Sequence, residues 1–268
     1  MFEQFYGFSK TPFARDIPTD ALYHSVMLDE TLGRLCHVAK TQKFAVVTGD
    51  CGTGKTTTIR RFSDTLDQQY LVLYLADSKL TPRYFYKGLL EQLGFESRFY
   101  RGDAKRQLHR EIEIMRSVQN TRPVVIVDEA HLLDKEMLEE VRFLLNYRMD
   151  SQSPMALILV GQSELNHKLS LQSYAAIRQR IDLQCRLGNY DRGATGQYIQ
   201  SHLEYAASSD GNREIFTDSA IDQIFLFSKG TARQINKVCS QCLAFGAQDH
   251  KRLIDDHMVE LVIQSELN

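Results

Sequence analysis

The chain has 268 residues, 43% of them hydrophobic, which excludes a disordered protein and leaves room for an α/β domain plus a smaller second one. Its net charge of −2 and pI of about 6.5 mean that the whole-molecule field does not announce a nucleic-acid partner, so any such role needs a local basic patch. No apolar run approaches the roughly 20 residues that cross a bilayer, the first residues lack a signal-peptide pattern, and the five scattered cysteines (Cys36, Cys51, Cys185, Cys239, Cys242) fit reduced thiols, so the expected address is cytoplasmic with no membrane partner.

Short apolar runs at Phe44 to Thr48, Leu71 to Leu75, Val124 to Val127, Ala156 to Val160 and Ile181 to Cys185 are separated by helix-length segments, the pattern of a five-stranded parallel sheet. Helices are predicted at Asp29 to Lys40, Thr56 to Leu66, Pro82 to Leu93, Ala104 to Ser117, Lys135 to Arg148 and Gln172 to Gln179. From Asn189 onward no strand-like run remains. Ala194 to Ser208, Asp218 to Ser228, Thr231 to Gln248 and Asp255 to Ser265 read as helices, with Gly230 ending one and Thr231 beginning the next. The expected organisation is an α/β domain over 1–188 and a small all-helical domain over 189–268. Cys239 and Cys242, three apart on an apolar helix with no second pair, read as small core residues, with zinc or thiol exchange as the alternative.

Gly49-Asp50-Cys51-Gly52-Thr53-Gly54-Lys55-Thr56 follows the first strand and runs into a helix through Thr57, which is the context of a phosphate-binding loop. Gly49, Gly52 and Gly54 let backbone N–H groups turn onto phosphates, Lys55 adds a point charge at the β/γ oxygens, and the Thr56 hydroxyl is placed to ligate Mg²⁺. The helix N-terminus adds its dipole. A plain flexible turn is the alternative. Because Cys51 sits inside this loop, its alkylation should block nucleotide binding.

Seventy-two residues after Thr56, the run Val124 to Val127 ends in Asp128-Glu129, two adjacent carboxylates with no packing reason to follow four apolar residues. Asp128 can hold Mg²⁺ through water, and Glu129 can polarise the water that attacks a γ-phosphate; an acidic helix start is the bland alternative.

Phe5-Tyr6-Gly7-Phe8-Ser9-Lys10-Thr11-Pro12-Phe13, Asp128-Glu129-Ala130-His131-Leu132-Leu133, Gly161-Gln162-Ser163-Glu164-Leu165, Ile177-Arg178-Gln179-Arg180-Ile181 and Gly230-Thr231-Ala232-Arg233-Gln234-Ile235-Asn236, together with the phosphate loop, resemble the ExeA/GspA-like group of AAA+ ATPases. That group includes secretion-associated ATPases and transposition helpers similar to TniB and IstB. The resemblance implies a three-layer P-loop AAA+ domain followed by a helical lid, ATP with Mg²⁺ as the ligand set, and ATP hydrolysis.

It also implies roles for further residues. Gln162 would sense the γ-phosphate and orient water, unless it only caps its strand, and Ser163 stands where the family more often has Pro. Arg178 or Arg180 would be a finger reaching a neighbouring subunit's nucleotide, so the active unit would self-associate as a ring or helical filament; two surface arginines are the alternative. Arg233 would contact the nucleotide from the lid, unless it is an ordinary exposed arginine. The N-terminal aromatic segment and Tyr23 would pack near the adenine. Asp-Glu-Ala-His is also a helicase signature, but that class needs two such domains in tandem, so His131 reads as structural at a helix start.

Between Lys79 and Arg116 nine Lys/Arg face five Asp/Glu, a local balance of +4, with Tyr84, Phe85, Tyr86, Phe99 and Tyr100 interleaved. Lys79, Arg83, Lys87, Lys105 and Arg106 are candidate DNA-backbone contacts, and a solvated helix face over a buried aromatic one is the alternative. The preferred reading is an ATPase that assembles with ATP on double-stranded DNA without sequence preference and recruits or activates a transposase. A secretion-assembly ATPase is the second reading, disfavoured because that version carries a membrane span and peptidoglycan-binding region absent up to Asn268. A nucleotide-gated protein adaptor that binds no DNA is the third.

Overall fold

A computed structural model describes residues 2–77, 80–145, 153–208 and 214–267. They form two units: one contains residues 27–51 and 55–187, the other the residues up to Val26, the loop tip Gly52–Gly54 and everything from Gly188.

The first unit holds a five-stranded parallel sheet of β1 (Phe44–Gly49), β2 (Tyr70–Leu75), β3 (Arg122–Val127), β4 (Ala156–Gly161) and β5 (Leu183–Leu187) in the order β2-β3-β4-β1-β5. β1 and β4 are buried at every residue, because helices cover both sheet faces and a central parallel strand meets no water. Alternate residues serve the two faces. Phe44, Val46, Val125, Val127, Leu157 and Leu159 pack under α4 (Pro82–Gln92), α5 (Arg101–Ser117), α6 (Lys135–Leu144), α7 (Glu164–Ser170) and α8 (Ala175–Arg178). Ala45, Val47, Val124, Ile126, Ile158 and Val160 pack with α2 (Val26–Thr41) and α3 (Lys55–Thr65). The register pairs Thr48 with Gly161 and Leu75 with Val127, so the carboxyl ends of β1, β3 and β4 finish side by side, where α/β sheets bind ligands.

β5 begins two residues later than the predicted Ile181. The Asp182 carboxylate accepts from Phe44 N at 2.9 Å and its own N–H donates to Phe44 O at 2.9 Å, so the entry to this edge strand is pinned by a side chain as well as backbone. The predicted helix Lys135 to Arg148 is described only to Leu144 as helix, and 146–148 lie outside the described residues. The predicted Gln172 to Gln179 helix is a 3-10 turn at Gln172–Tyr174 followed by α8.

The second unit comprises α1 (Phe2–Tyr6), α9 (Arg192–Ala206), α10 (Asp218–Ser228), α11 (Ala232–Gln248) and α12 (Asp256–Val262). The N-terminal segment, assigned by sequence to the α/β domain, packs here instead. Ser9 N donates to Ala206 O at 2.8 Å, Tyr6 OH donates to Lys251 O at 3.0 Å, and Tyr6, Phe8 and Phe13 join the apolar cluster of α9 to α12. Asp191, Thr217 and Asp255 cap α9, α10 and α12 through side-chain bonds to the third residue on, which is why α9 starts before the predicted Ala194. Gly230 ends α10 as expected: its φ is 73°, and a Cβ there would stand 1.8 Å from Tyr190 O. Cys239 and Cys242 are free and fully buried in this cluster, and burial pushes both thiols up, Cys242 to about 12.

Candidate active site

The phosphate loop grows out of β1 and closes into α3. Lys55, the first residue of α3, is only 9% exposed, and its ammonium donates to Gly49 O at 2.8 Å and Asp50 O at 2.9 Å. A buried ammonium needs such acceptors, and these two hold it against the loop. Gly52 and Gly54 have φ of 87° and 92°, which only glycine adopts cheaply, and Arg233 N donates to Gly52 O at 3.2 Å within the helical unit. Cys51 is exposed and Thr53 is buried.

Asp128, at the end of β3, is 4% exposed and held on both oxygens. Oδ2 accepts from Thr56 Oγ1 at 3.1 Å and from Tyr74 OH at 2.7 Å, and Oδ1 accepts from Glu129 N at 2.8 Å. Burial first, and the Asp128 carboxylate second, raise the Tyr74 phenol's pKa, so it stays a donor. Thr56 and Asp128 are hard oxygen ligands standing together, a donor set that suits Mg²⁺ completed by phosphate and water. Among the described residues no group of three or more His, Cys, Asp or Glu stands together as a metal site.

Glu129 adopts the left-handed conformation, φ 53° and ψ 30°, in front of a 3-10 turn at Ala130–Leu132. A glutamate there costs on the order of 1–3 kcal/mol, and such outliers concentrate at functional sites. The Glu129 carboxylate lies 3.5 Å from His131 Nδ1, and the Gln162 N–H donates to the same nitrogen at 3.4 Å. His131 therefore does more than start a turn, because it links the end of β3 to the end of β4. Lys168 fixes this turn through His131 O at 2.6 Å and Leu133 O at 2.8 Å. Ser163 Oγ donates to Asp50 Oδ1 and Asn166 Nδ2 donates to Thr48 Oγ1 at 2.7 Å, tying α7 to the loop's entry. Ser163 thus makes a bond that proline could not.

Lys55, Thr56, Asp128, Glu129 and Gln162 are thereby gathered at the carboxyl ends of β1, β3 and β4, with Thr57 in the first turn of α3. Sequence reasoning missed Tyr74, Asn166 and Lys168, which act through hydrogen bonds that no motif encodes. Other predicted residues are placed differently. Arg178 donates to Leu169 O at 2.9 Å and Ser170 O at 2.6 Å, closing the last turn of α7, so its guanidinium is already used within its own chain. Arg180 is half-buried. Tyr23 OH donates to Gln197 at 2.6 Å and its ring meets Tyr190 and Tyr198 edge-on; it lines an open cavity of about 520 Å³ with Arg192, Gln200 and Glu204.

The DNA candidates divide. Lys79 lies outside the described residues. Lys105 is held at 2.9 Å by Glu140, a carboxylate 2% exposed that also binds Arg101 and Tyr86, so its ammonium is engaged within the chain. Arg106 pairs with Asp103, and Lys87 sits 3.6 Å from Glu91. Arg83 lies over the Phe99 ring at 4.4 Å. Phe85 and Tyr86 are core residues, whereas Tyr84, Phe99 and Tyr100 are exposed. Arg98, Arg106 and Arg110 line one groove together with Asp103 and Glu111.

A family model for the AAA domain matches residues 38–169, the stretch that carries the loop, Asp128, Glu129 and Gln162. General secretion pathway protein A of Aeromonas hydrophila is 29% identical over 258 residues, 94% of this chain. The chain thus carries an AAA domain and resembles ExeA/GspA-type proteins over most of its length. It spans 46% of that relative's length. Similar AAA+ folds are a chain of Drosophila ORC bound to DNA (TM-score 0.65, 18% identity, covering 98% of this chain and 64% of that one) and the Aeropyrum pernix ORC2 protein in ADPNP-ADP complexes (0.63, 15%, 98% and 71%). The Thermotoga maritima RuvB branch migration motor is another (0.59, 18%, 88% and 67%). Among the described residues no helix is long and apolar enough to cross a membrane.

Proposed function

We propose that this AAA+ protein hydrolyses ATP and uses its nucleotide state to control self-association, as a ring or helical filament, on double-stranded DNA. The observation that carries the hydrolase reading is the convergence of Lys55, Thr56, Asp128 and Glu129 around the phosphate loop. In this reading Lys55 places positive charge on the β/γ oxygens, and Thr56 and Asp128 hold Mg²⁺, which would neutralise developing phosphate charge. Glu129 polarises the attacking water and Gln162 orients it. The ATP-bound form assembles on DNA and engages a transposase in the cytoplasm, and hydrolysis releases it. Support for DNA contact is the exposed face with Arg83, Phe99, Tyr100, Arg98 and Arg110, which offers cations beside aromatic rings. A second reading, an ATPase of secretion-system assembly, is favoured by the match over 94% of this chain to a general secretion pathway protein.

The test is binding to fluorescent duplex DNA with ATP, ADP or a non-hydrolysable analogue at two salt concentrations, with Lys55→Ala and Glu129→Gln in parallel. Salt-sensitive, ATP-dependent binding that is lost in Lys55→Ala and prolonged in Glu129→Gln supports the DNA-loaded switch. Binding in no nucleotide state, with ATP hydrolysis intact, turns the reading to the secretion role or to a protein-only adaptor.

A further inference from the structure

We infer that Tyr74 positions the metal-holding carboxylate of Asp128, and that Gln92 in turn fixes Tyr74; the inference rests on reading Asp128 as a Mg²⁺ ligand. β2 is an edge strand, so its outer N–H and C=O groups have no strand neighbour. At Tyr74 both are satisfied by one side chain at the end of α4: Gln92 Oε1 accepts from Tyr74 N at 3.0 Å, and Gln92 Nε2 donates to Tyr74 O at 2.9 Å. This amide copies a strand partner for a single residue.

The register explains why that residue matters. Tyr74 pairs with Ile126, and Asp128 is two residues further along β3, on the same face and diagonal to Tyr74. That diagonal is within reach of a long side chain, and the phenol uses it to donate to Asp128 Oδ2 at 2.7 Å. The remaining side-chain donor to Oδ2 is Thr56, whose hydroxyl is itself a candidate metal ligand. Once Thr56 gives its oxygen to a metal, Tyr74 is the side chain that keeps Asp128 aimed. Leu73 and Leu75, on either side of Tyr74, face the opposite, buried cluster, so the tyrosine is not required for the core there.

Tyr74→Phe removes one hydroxyl and no packing volume. Titrating Mg²⁺ against equilibrium binding of a fluorescent ATP analogue, the midpoint for Tyr74→Phe should rise about tenfold, the usual order for an outer partner of a metal ligand. Binding measured in EDTA and the thermal midpoint should stay at the wild-type value. Gln92→Met should move the Mg²⁺ midpoint in the same direction by a smaller factor, and it tests the relay independently should the tyrosine variant fold poorly. An unchanged Mg²⁺ midpoint in Tyr74→Phe, or in Gln92→Met if only that variant folds, overturns the inference. If Lys55→Ala binds the analogue as wild type does, the nucleotide-site reading fails instead, which is a distinguishable result.

Discussion

Glu129 shows at the scale of one residue how function and backbone economy conflict. A glutamate gains nothing from a left-handed conformation, yet the turn it makes aims its carboxylate toward the His131 and Gln162 cluster. Cys51 is the other informative residue, exposed in the glycine loop between β1 and α3 that we propose closes on phosphate. Stoichiometric alkylation of wild-type protein is expected to abolish nucleotide binding, and Cys51→Ala should bind nucleotide and resist the reagent. Retained binding after complete labelling at Cys51 would refute this. The loop glycines, Lys55, Thr56 and the carboxylate pair were legible because a glycine turn between strand and helix, and two carboxylates after four apolar residues, are patterns local to the chain. Tyr74 was not, since a tyrosine in a strand reads as ordinary β-propensity until the register puts Asp128 diagonal to it.

Among elements, α5 and α6 are joined by a buried carboxylate rather than by apolar packing alone. Burial raises the Glu140 pKa, but the Tyr86 hydroxyl, Lys105 and Arg101 outweigh it, and the net shift is downward. Glu140→Gln takes the counter-charge from Lys105, while Arg101 keeps its pair with Glu136 at 2.7 Å, and should destabilise the protein by roughly 3 kcal/mol, read as a lower denaturant midpoint. An unchanged midpoint would mean that the cluster is solvated and dispensable. In the helical unit His202 stacks on Phe13 at 5.0 Å and meets Tyr198 at a tilt of 50° and 4.5 Å, and burial lowers its pKa to about 4. The unfolded chain takes up that proton near the ordinary value of 6.5 and the folded one does not. Stability from this residue is therefore complete above pH 6.5 and declines as pH falls toward 4, by about 3 kcal/mol in all. His202→Phe should flatten that slope in thermal melts; an unaltered slope would assign the acid sensitivity elsewhere. The periodicities of 2 and 3.6 made strands and helices legible, whereas the docking of the N-terminal aromatics was hidden, because an apolar triplet does not name the surface that buries it.

For the whole molecule, the proposed self-association is tested through a finger acting in trans. Because Arg178 donates to the carbonyls that end α7, its replacement would also disturb that turn, and Arg180 is replaced first. Arg180→Ala should bind nucleotide normally and lose ATPase activity about 10³-fold. Mixing it with Lys55→Ala should restore part of that activity, because a mixed interface pairs an intact loop with an intact finger; no recovery on mixing excludes action in trans. By itself the sequence determined the parallel sheet, the helical C-terminal part, the glycine loop after β1 and the Asp128-Glu129 pair at the end of β3, since each is a pattern local to the chain. Only the tertiary structure decided that Lys105 is engaged by Glu140, that Arg178 closes a helix, that the N-terminal aromatics join the helical core, and that Tyr74 meets Asp128. Those outcomes depend on which distant groups come within hydrogen-bonding or van der Waals reach, and strand order and register set that distance while residue spacing along the chain does not.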